Sequence, residues 1–114
     1  MEKVNLLSAA RSVDELYVYR RVGTLNSHAL TVVNVENRTL DFHVHEHSDE
    51  LFYVIEGTFM LETEDGLTEV GAGEFIIVPK GMRHRPVVTS LTRFLMVELE
   101  GTLTRENSGD LYKE

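Results

Sequence analysis

The chain has 114 residues, 42% of them hydrophobic, which is enough for one domain with one core but not for two. Its 19 acidic and 11 basic side chains give a formal net charge of -8, which opposes binding to nucleic acid or to anionic membrane surfaces. The absence of cysteine excludes disulfides, thiolate nucleophiles and zinc-thiolate sites, so a bound metal would need nitrogen and oxygen ligands.

The N-terminal segment is not expected to be a secretory signal. Its apolar stretch is too short for a secretory signal, and no run elsewhere approaches the roughly 20 apolar residues of a membrane span. A soluble cytoplasmic protein is therefore expected, with no membrane partner. The same segment favours a short helix or irregular structure, with the helix near Ala9 to Leu16.

The rest of the chain is dominated by an alternation of period two. Short β-branched or aromatic runs occupy residues 17–22, 29–35, 50–57, 58–64, 67–70, 74–79 and 93–100. Asp65-Gly66 predicts the two-residue turn of a hairpin over residues 58–70, and GAGE at 71–74 predicts a second turn. So many strands in a small chain predict an all-β antiparallel barrel or jelly roll, because closure removes exposed strand edges. A polar tail is expected from about Gly101.

The segment DFHVHEHSDELF, residues 41–52, carries three alternating histidines. His43 and His45 should project from one face of a strand, because side chains two residues apart share a face. His47 has the same parity, but the residues before Glu50 favour a turn, so its direction is not fixed by the strand. Glu50 begins a new strand and can meet the first two histidines if that strand runs back beside them. His84 opens a further strand, which only barrel closure would bring close.

These residues resemble the two motifs of the cupins, a superfamily of small β-barrels. The first motif, G(X)5HXH(X)3-4E(X)6G, is matched over residues 43–57, with Asn37 in place of its leading glycine. The second, G(X)5PXG(X)2H(X)3N, is matched over residues 73–88, with Val88 in place of its final asparagine. The spacing between the motifs is similar to that of short, single-domain bacterial cupins. The resemblance implies a single cupin domain over residues 1–114.

The resemblance also implies one divalent transition metal, Mn, Fe, Co, Ni, Cu or Zn, bound by His43, His45, Glu50 and His84. Three neutral imidazoles and one carboxylate suit such an ion and leave a net charge near +1, which attracts anionic or chelating ligands. Octahedral coordination would leave two positions open for substrate, water or dioxygen. A four-coordinate zinc would be saturated and catalytically inactive.

Three functions are compatible with such a barrel. We favour a metal-dependent enzyme, of dioxygenase, isomerase or lyase type, acting on a small oxygenated or carboxylated molecule. The alternatives are a binding or sensing barrel that does not transform its ligand, and a structural barrel stabilised by an inert ion. No dedicated catalytic acid or base can be placed beside the metal from spacing alone.

Several further residues have two interpretations each. Alternating apolar residues could line a substrate cavity, but we expect core packing instead; they are Phe52, Val54, Phe75, Ile77 and Met82. The charged residues around His84 could steer a carboxylate, but we expect solvated charge; they are Lys80, Arg83 and Arg85. His28 is expected to be an exposed strand or turn residue, and His47 to lie at the rim of the site.

A homodimer is expected, because the strand faces opposite the barrel interior are also apolar. The residues assigned to these outer faces are Leu51, Tyr53, Ile55, Ile76 and Val78. Small cupins resembling this chain usually pair through such a face, and a contact between identical patches is the commonest way to cover it.

Overall fold

The alternating runs form antiparallel strands in the computed structural model, which describes residues 1–102. The elements are α1 (Leu6–Arg11), β1 (Arg20–Leu25), β2 (His28–Val35), β3 (Arg38–Thr39), β4 (Glu50–Glu56), β5 (Thr58–Thr63), β6 (Gly66–Gly71), β7 (Phe75–Val78), β8 (Arg85–Val88) and β9 (Thr92–Leu99). They form a five-stranded sheet, β1-β2-β9-β4-β7, and a four-stranded sheet, β3-β8-β5-β6. The predicted all-β fold is therefore confirmed. The predicted polar tail lies outside the described residues, apart from its first two, Gly101 and Thr102.

The N-terminal helix is shorter and begins earlier than predicted. It starts after Asn5, whose side-chain oxygen accepts a hydrogen bond from the backbone N–H of Ser8 at 2.9 Å and so caps the first turn. It ends at Arg11, whereas the prediction extended it to Leu16. Helix α1 is six residues long, and no helix within residues 1–102 has the length and apolar character needed to cross a membrane.

The predicted hairpin over residues 58–70 is present as β5 and β6, but its turn lies one residue earlier than predicted. Thr63 pairs with Gly66, so the two turn residues are Glu64 and Asp65. Gly66 has a φ of 123°, which favours glycine, while Asp65 does not have a positive φ. The second predicted turn is also present, and Gly73 within it has a φ of 83°.

The two faces of β4 separate as the sequence predicts. Glu50, Phe52 and Val54 are buried, whereas the intervening side chains are only partly buried. Phe52 and Val54 belong to a core of apolar side chains from both sheets, together with Phe59, Phe94 and others. These two residues are core packing, as expected.

The faces of β7 are the reverse of those predicted. Glu50 pairs with Val78 and Phe52 with Ile76, and directly opposed residues in an antiparallel pair share a face. Ile76 and Val78 therefore point inward, with Val78 only 2% exposed. Phe75 and Ile77 point outward and are 61% and 50% exposed, so neither packs in the core. Met82, at 39% exposure, is not in the core either.

The two positions that depart from the cupin motifs fit their surroundings. Asn37, in place of the leading glycine, has a φ of 50°, and asparagine tolerates this left-handed conformation better than most residues. Its backbone N–H donates to the carbonyl of Thr89 at 2.9 Å. Val88, in place of the asparagine, is buried in the core at the end of β8. Neither departure disturbs the barrel.

Candidate metal centre

Four side chains from separate parts of the chain meet inside one end of the barrel. Each of them offers a ligand atom, and these atoms all lie within 4.8 Å of one another; the residues are His43, His45, Glu50 and His84. Glu50 is the first residue of β4, and His84 directly precedes β8. The two histidines that begin the first motif lie in the segment between β3 and β4. The structure therefore brings together all four residues that the resemblance implies as ligands.

The local backbone differs from the predicted strand. His43 forms a single β-bridge with His84, and His45 lies outside any strand. The rings of His43 and His45 nevertheless approach each other, with centroids 5.1 Å apart. The two histidines reach the site on an irregular segment that one bridge holds in place.

Backbone carbonyls orient two of the imidazoles. His43 Nδ1 lies 2.8 Å from the carbonyl oxygen of Asp41, and His84 Nδ1 lies 2.9 Å from that of Met82. A carbonyl can only accept, so each Nδ1 must carry the proton and donate it. The lone pair of a neutral ring is then on Nε2, the nitrogen that a metal would bind. Such carbonyl contacts are the usual support for a metal-binding histidine.

Glu50 lies between two of the imidazoles with both its oxygens buried. Its Oε1 is 3.1 Å from His84 Nε2, and its Oε2 is 3.2 Å from His45 Nε2. Burial alone would raise the pKa of Glu50, but the contacts with His45 and His84 outweigh burial and hold this pKa at about 2. The carboxylate is therefore ionised at neutral pH, as a metal ligand must be.

The histidine pKa values are shifted in opposite directions. Burial lowers the pKa of His43, against the hydrogen bond to Asp41, so this ring is neutral at pH 7. Burial also acts to lower the pKa of His84, but its hydrogen bond to Glu50 outweighs burial and raises it. In the metal-free protein His84 therefore binds a proton more readily than an ordinary histidine does. That proton carries its positive charge where a metal cation would bind.

Several buried polar atoms support the fit of a cation. Both ring nitrogens of His45 and the Oε2 atom of Glu50 are buried and lack a well-formed hydrogen bond within the described chain, although His45 Nε2 and Glu50 Oε2 are 3.2 Å apart. Buried polar groups without partners are costly, and a bound divalent ion would satisfy the two facing atoms. Three nitrogen donors and one carboxylate also match the preferences of transition metals. The residues present therefore fit a metal ion.

The barrel interior beyond the four side chains is nearly filled. The cavity there measures about 20 Å³ and is bordered by His43 and Glu50 on one side and by core residues such as Phe52 and Phe94 on the other. That volume holds about one water molecule. A larger ligand therefore does not fit in this interior cavity.

The other histidines lie apart from the cluster. His47 is exposed in the bend between the first two histidines of the motif and β4, and His28 is exposed at the start of β2. Neither belongs to the four-residue group. The rim position predicted for His47 and the exposed position predicted for His28 agree with these locations.

The basic residues near His84 are held by other contacts. The guanidinium carbons of Arg83 and Arg85 lie 4.2 and 4.3 Å from the ring centroid of Phe42. Arg85 Nε also lies 2.6 Å from Glu62 Oε1. Lys80 is exposed, as expected for solvated charge. These contacts do not support a role for either arginine in steering a carboxylate.

One buried acidic residue was missed in the sequence. Glu98 on β9 is 2% exposed and follows Phe94 and Met96 on the inward face of the strand. Burial, and then the charge of Glu50, raise the pKa of Glu98 to about 8, against the effect of Arg21. The signal in the sequence was weak, because Glu98 and Glu100 share one face of RFLMVELE and the opposite face is the more apolar one.

Comparison with known proteins agrees with this geometry. A family model for the cupin domain matches residues 30–98. The uncharacterized protein YdbB of Bacillus subtilis is 35% identical over 82 residues, which cover 71% of this chain and 72% of YdbB.

Solved structures share the fold. A cupin-2 domain-containing protein from Shewanella frigidimarina is 26% identical with a TM-score of 0.80, over 85% of this chain and 94% of the other. Protein NMB1881 from Neisseria meningitidis is 23% identical with a TM-score of 0.77, over 87% of this chain and 100% of the other. Together, the matched family model, the relative in Bacillus subtilis and the two-sheet barrel establish that the chain belongs to the cupin domain family.

Proposed function

We propose that this cupin is a metal-dependent enzyme, of dioxygenase, isomerase or lyase type, that acts on a small oxygenated or carboxylated molecule. The ion is one divalent transition metal bound by His43, His45, Glu50 and His84. The observation that carries the proposal is the convergence of these four ligand atoms within 4.8 Å, with buried and unsatisfied atoms facing the centre.

The charge of the site supports an anionic ligand. A divalent ion, one ionised carboxylate and neutral imidazoles sum to a net charge near +1, and this charge would lie in a buried place where it is poorly screened. A bound ion would polarise an oxygen atom of the substrate or supply redox chemistry. A small carboxylate or a molecule with neighbouring oxygens is the ligand class that such a site binds best.

The surrounding residues limit what can bind. The interior is closed by Phe52 and its apolar neighbours, with room for about one water molecule. The substrate therefore binds outside this interior cavity, with only its reacting atoms directed at the four ligands. His43 and His84 are fixed by the carbonyls of Asp41 and Met82, so the site is organised before the substrate arrives.

We further propose that the protein is a homodimer. Phe75 and Ile77 are exposed on the outer face of β7, beside the outward residues Leu51 and Tyr53 of β4. Helix α1 and the segment after it pack on another part of this sheet, around Val32 and Ile55, so the β7 side is the part left exposed. An apolar face of this kind is best covered by the same face of a second copy.

The test of the enzymatic proposal begins with metal analysis of the purified protein. The protein is then stripped and reloaded separately with Fe²⁺, Mn²⁺, Ni²⁺ and Zn²⁺, and incubated with a panel of small carboxylic acids and sugar acids. Oxygen uptake and product formation are measured, with His84→Ala as the inactive control and His47→Ala as the matched surface control. Turnover that requires the metal and His84 but not His47 supports the proposal.

Two other outcomes would contradict it. Retention of a small ligand without turnover would identify a binding or sensing barrel. Tightly bound zinc with no exchangeable water, and no binding of any acid in the panel, would identify a structural ion. Each result replaces the enzymatic proposal while leaving the metal site itself in place.

A further inference from the structure

Glu98 is a buried carboxyl group that the metal centre does not use. Its residue is 2% exposed, and its Oε2 atom has no hydrogen-bond partner among residues 1–102. The side chains before it on the same face, Phe94 and Met96, are apolar and belong to the core. A residue with only a packing role at this position would also be apolar, because an unsatisfied buried carboxyl group is costly.

The strand register places Glu98 beside the metal centre. Leu51 pairs with Val97 and Phe52 with Met96 in the antiparallel ladder of β4 and β9. One step further along the same register, Glu50 faces Glu98. Directly opposed residues project to the same side of a sheet with Cβ atoms about 5 Å apart. The charge of Glu50 is accordingly one of the causes that raise the pKa of Glu98.

Within residues 1–102, no salt bridge accounts for the burial of Glu98. The charge of Arg21 lowers the pKa of Glu98, but the Nη1 atom of Arg21 lies 2.6 Å from Glu100 Oε1 in an exposed ion pair. Glu98 is also outside the group of four ligand atoms that lie within 4.8 Å of one another. It is therefore neither part of a described salt bridge nor one of the clustered ligands.

A cavity of about 290 Å³ lies beside Glu98. Polar side chains make up most of its lining, including Tyr19, Arg21, Thr31 and Glu98. Tyr19 also borders the small interior cavity next to His43 and Glu50, so the two spaces adjoin the same tyrosine. This volume suits a small polar molecule, and its polar lining suits a ligand with hydroxyl groups.

We propose that Glu98 is a ligand-binding residue that hydrogen-bonds a hydroxyl group of a small hydroxy acid, while the carboxylate of that acid binds the metal. The metal half of this arrangement rests on the proposed function. A hydroxyl group both donates and accepts, so it satisfies Oε2 whether Glu98 is protonated or ionised. A second carboxylate of the ligand would instead meet the acidic pair, Glu50 and Glu98, and is a poorer match.

The test compares two probes that differ by one hydroxyl group. Lactate and glycerate both present an α-hydroxy carboxylate to a metal, but glycerate has an additional hydroxyl at its third carbon. Lactate and each enantiomer of glycerate are titrated separately into the full-length Co²⁺-loaded protein. Binding is followed by the visible spectrum of the ion. The proteins compared are the wild type, Glu98→Gln and Glu98→Met, with folding checked by circular dichroism.

We expect the wild type to bind one enantiomer of glycerate about 3- to 10-fold more tightly than lactate, which is the usual effect of one added hydrogen bond. Glu98→Met should bind the two probes equally. Glu98→Gln should keep most of the preference, because an amide also donates and accepts. Lactate affinity and Co²⁺ affinity should stay within about twofold in all three proteins, since no lactate atom is assigned to Glu98.

Several results would overturn the inference. If Glu98→Met keeps the preference for glycerate, Glu98 does not contact the additional hydroxyl. Equal binding of the probes to the wild type would show the same even if Glu98→Met failed to fold. Loss of Co²⁺ in both variants would make Glu98 a metal ligand instead. Failure of the wild type to bind Co²⁺ would refute the proposed function and this inference with it. The preceding results would refute only the role of Glu98, so the two failures can be told apart.

Discussion

His43 and His84 face each other as an antiparallel bridge, and each donates its backbone N–H to the carbonyl of the other at 3.0 Å. Their rings lie 4.5 Å apart between centroids. The pair joins the segment before β4 to the segment before β8, which are far apart in sequence. The backbone hydrogen bonds therefore fix the separation of two proposed ligands independently of any metal.

The first prediction concerns which histidines bind the ion. Replacing His45 or His84 with Ala should weaken binding of a divalent metal by roughly 10-fold or more, taking the effect of mutating residues that support a ligand as the lower bound. His47→Ala should keep most of the affinity, because His47 is exposed and outside the four-residue cluster. Competitive titration of the metal-free variants at one pH measures these affinities.

The matched control is His47→Ala, and circular dichroism checks that all three variants are folded. His47 is the discriminating residue, because it shares the alternation of His43 and His45 in the sequence. An equal loss of affinity in His47→Ala and His45→Ala would show that the ligands are shifted by two residues. The proposed ligand set would then be wrong.

The cupin motifs made most of the cluster predictable from the sequence. Strand parity alone predicted that His43 and His45 share a face and that Glu50 could meet them. It could not bring His84 close, because that requires closure of the barrel. The many short strands predicted a closed barrel, but only the resemblance implied that His84 is a ligand. The expected strand at His43 is a single bridge, yet the side chains still converge.

The inward and outward faces of the strands were predictable only where the sequence alternates. In β4 the polar Glu50 marks the inward face toward the site, and the faces were assigned correctly. In β7 four apolar residues follow one another, Phe75–Val78, so the alternation contains no contrast and the faces were reversed. Glu98 was missed for a different reason, because one acidic residue in an apolar strand has no partner in the sequence to reveal its burial.

Metal removal should destabilise the protein. An ion that binds only the folded chain stabilises it, so treatment with a chelator at neutral pH should lower the melting temperature. Occupancy should also fall as the pH drops through the histidine range, because protons compete for the imidazoles and the pKa of His84 is raised. Calorimetry with and without chelator is the measurement. An unchanged melting temperature would show that the ion contributes little to folding.

Gly57, the last glycine of the first motif, should tolerate no side chain. Its φ is 93°, and a Cβ atom would lie 2.6 Å from the carbonyl oxygen of Leu91. Gly73 has a similar φ of 83° but nothing within 4 Å of such an atom. Gly73→Ala should therefore cost about 1–2 kcal/mol of unfolding free energy from backbone strain alone, and Gly57→Ala clearly more. Urea unfolding compares the two, and equal losses would mean that the close contact is unimportant.

The proposed dimer predicts a specific sensitivity on β7. Light scattering should give twice the chain mass of 13.0 kDa for the wild type and the single-chain mass for Ile77→Glu, because a buried charge would oppose association. Leu67→Glu is the matched control, since Leu67 is 59% exposed on β6 in the other sheet. A wild-type mass of one chain at high concentration would refute the dimer, and dissociation by both variants would show that the β7 face is not its basis.

The last prediction concerns the pH dependence that Glu98 gives to the metal-free protein. Burial and the nearby charge of Glu50 raise the pKa of Glu98 to about 8, above the ordinary value of 4.5. Between these values the folded state binds more protons than the unfolded state, so stability decreases as the pH rises. The contribution of Glu98 to stability is complete below about pH 4.5 and is lost as the pH rises through about 8.

Glu98→Gln cannot ionise, so this loss of stability should disappear in the variant. Urea unfolding of the chelator-treated proteins at pH 5 and pH 9 should show that the variant gains stability relative to the wild type by at least about 1 kcal/mol at the higher pH. The comparison within each pH removes effects that the two proteins share, including titration of His43, His84 and Glu50. A difference between the two proteins that is the same at both pH values would show that Glu98 titrates normally and that its carboxyl group is not held in the buried position beside Glu50.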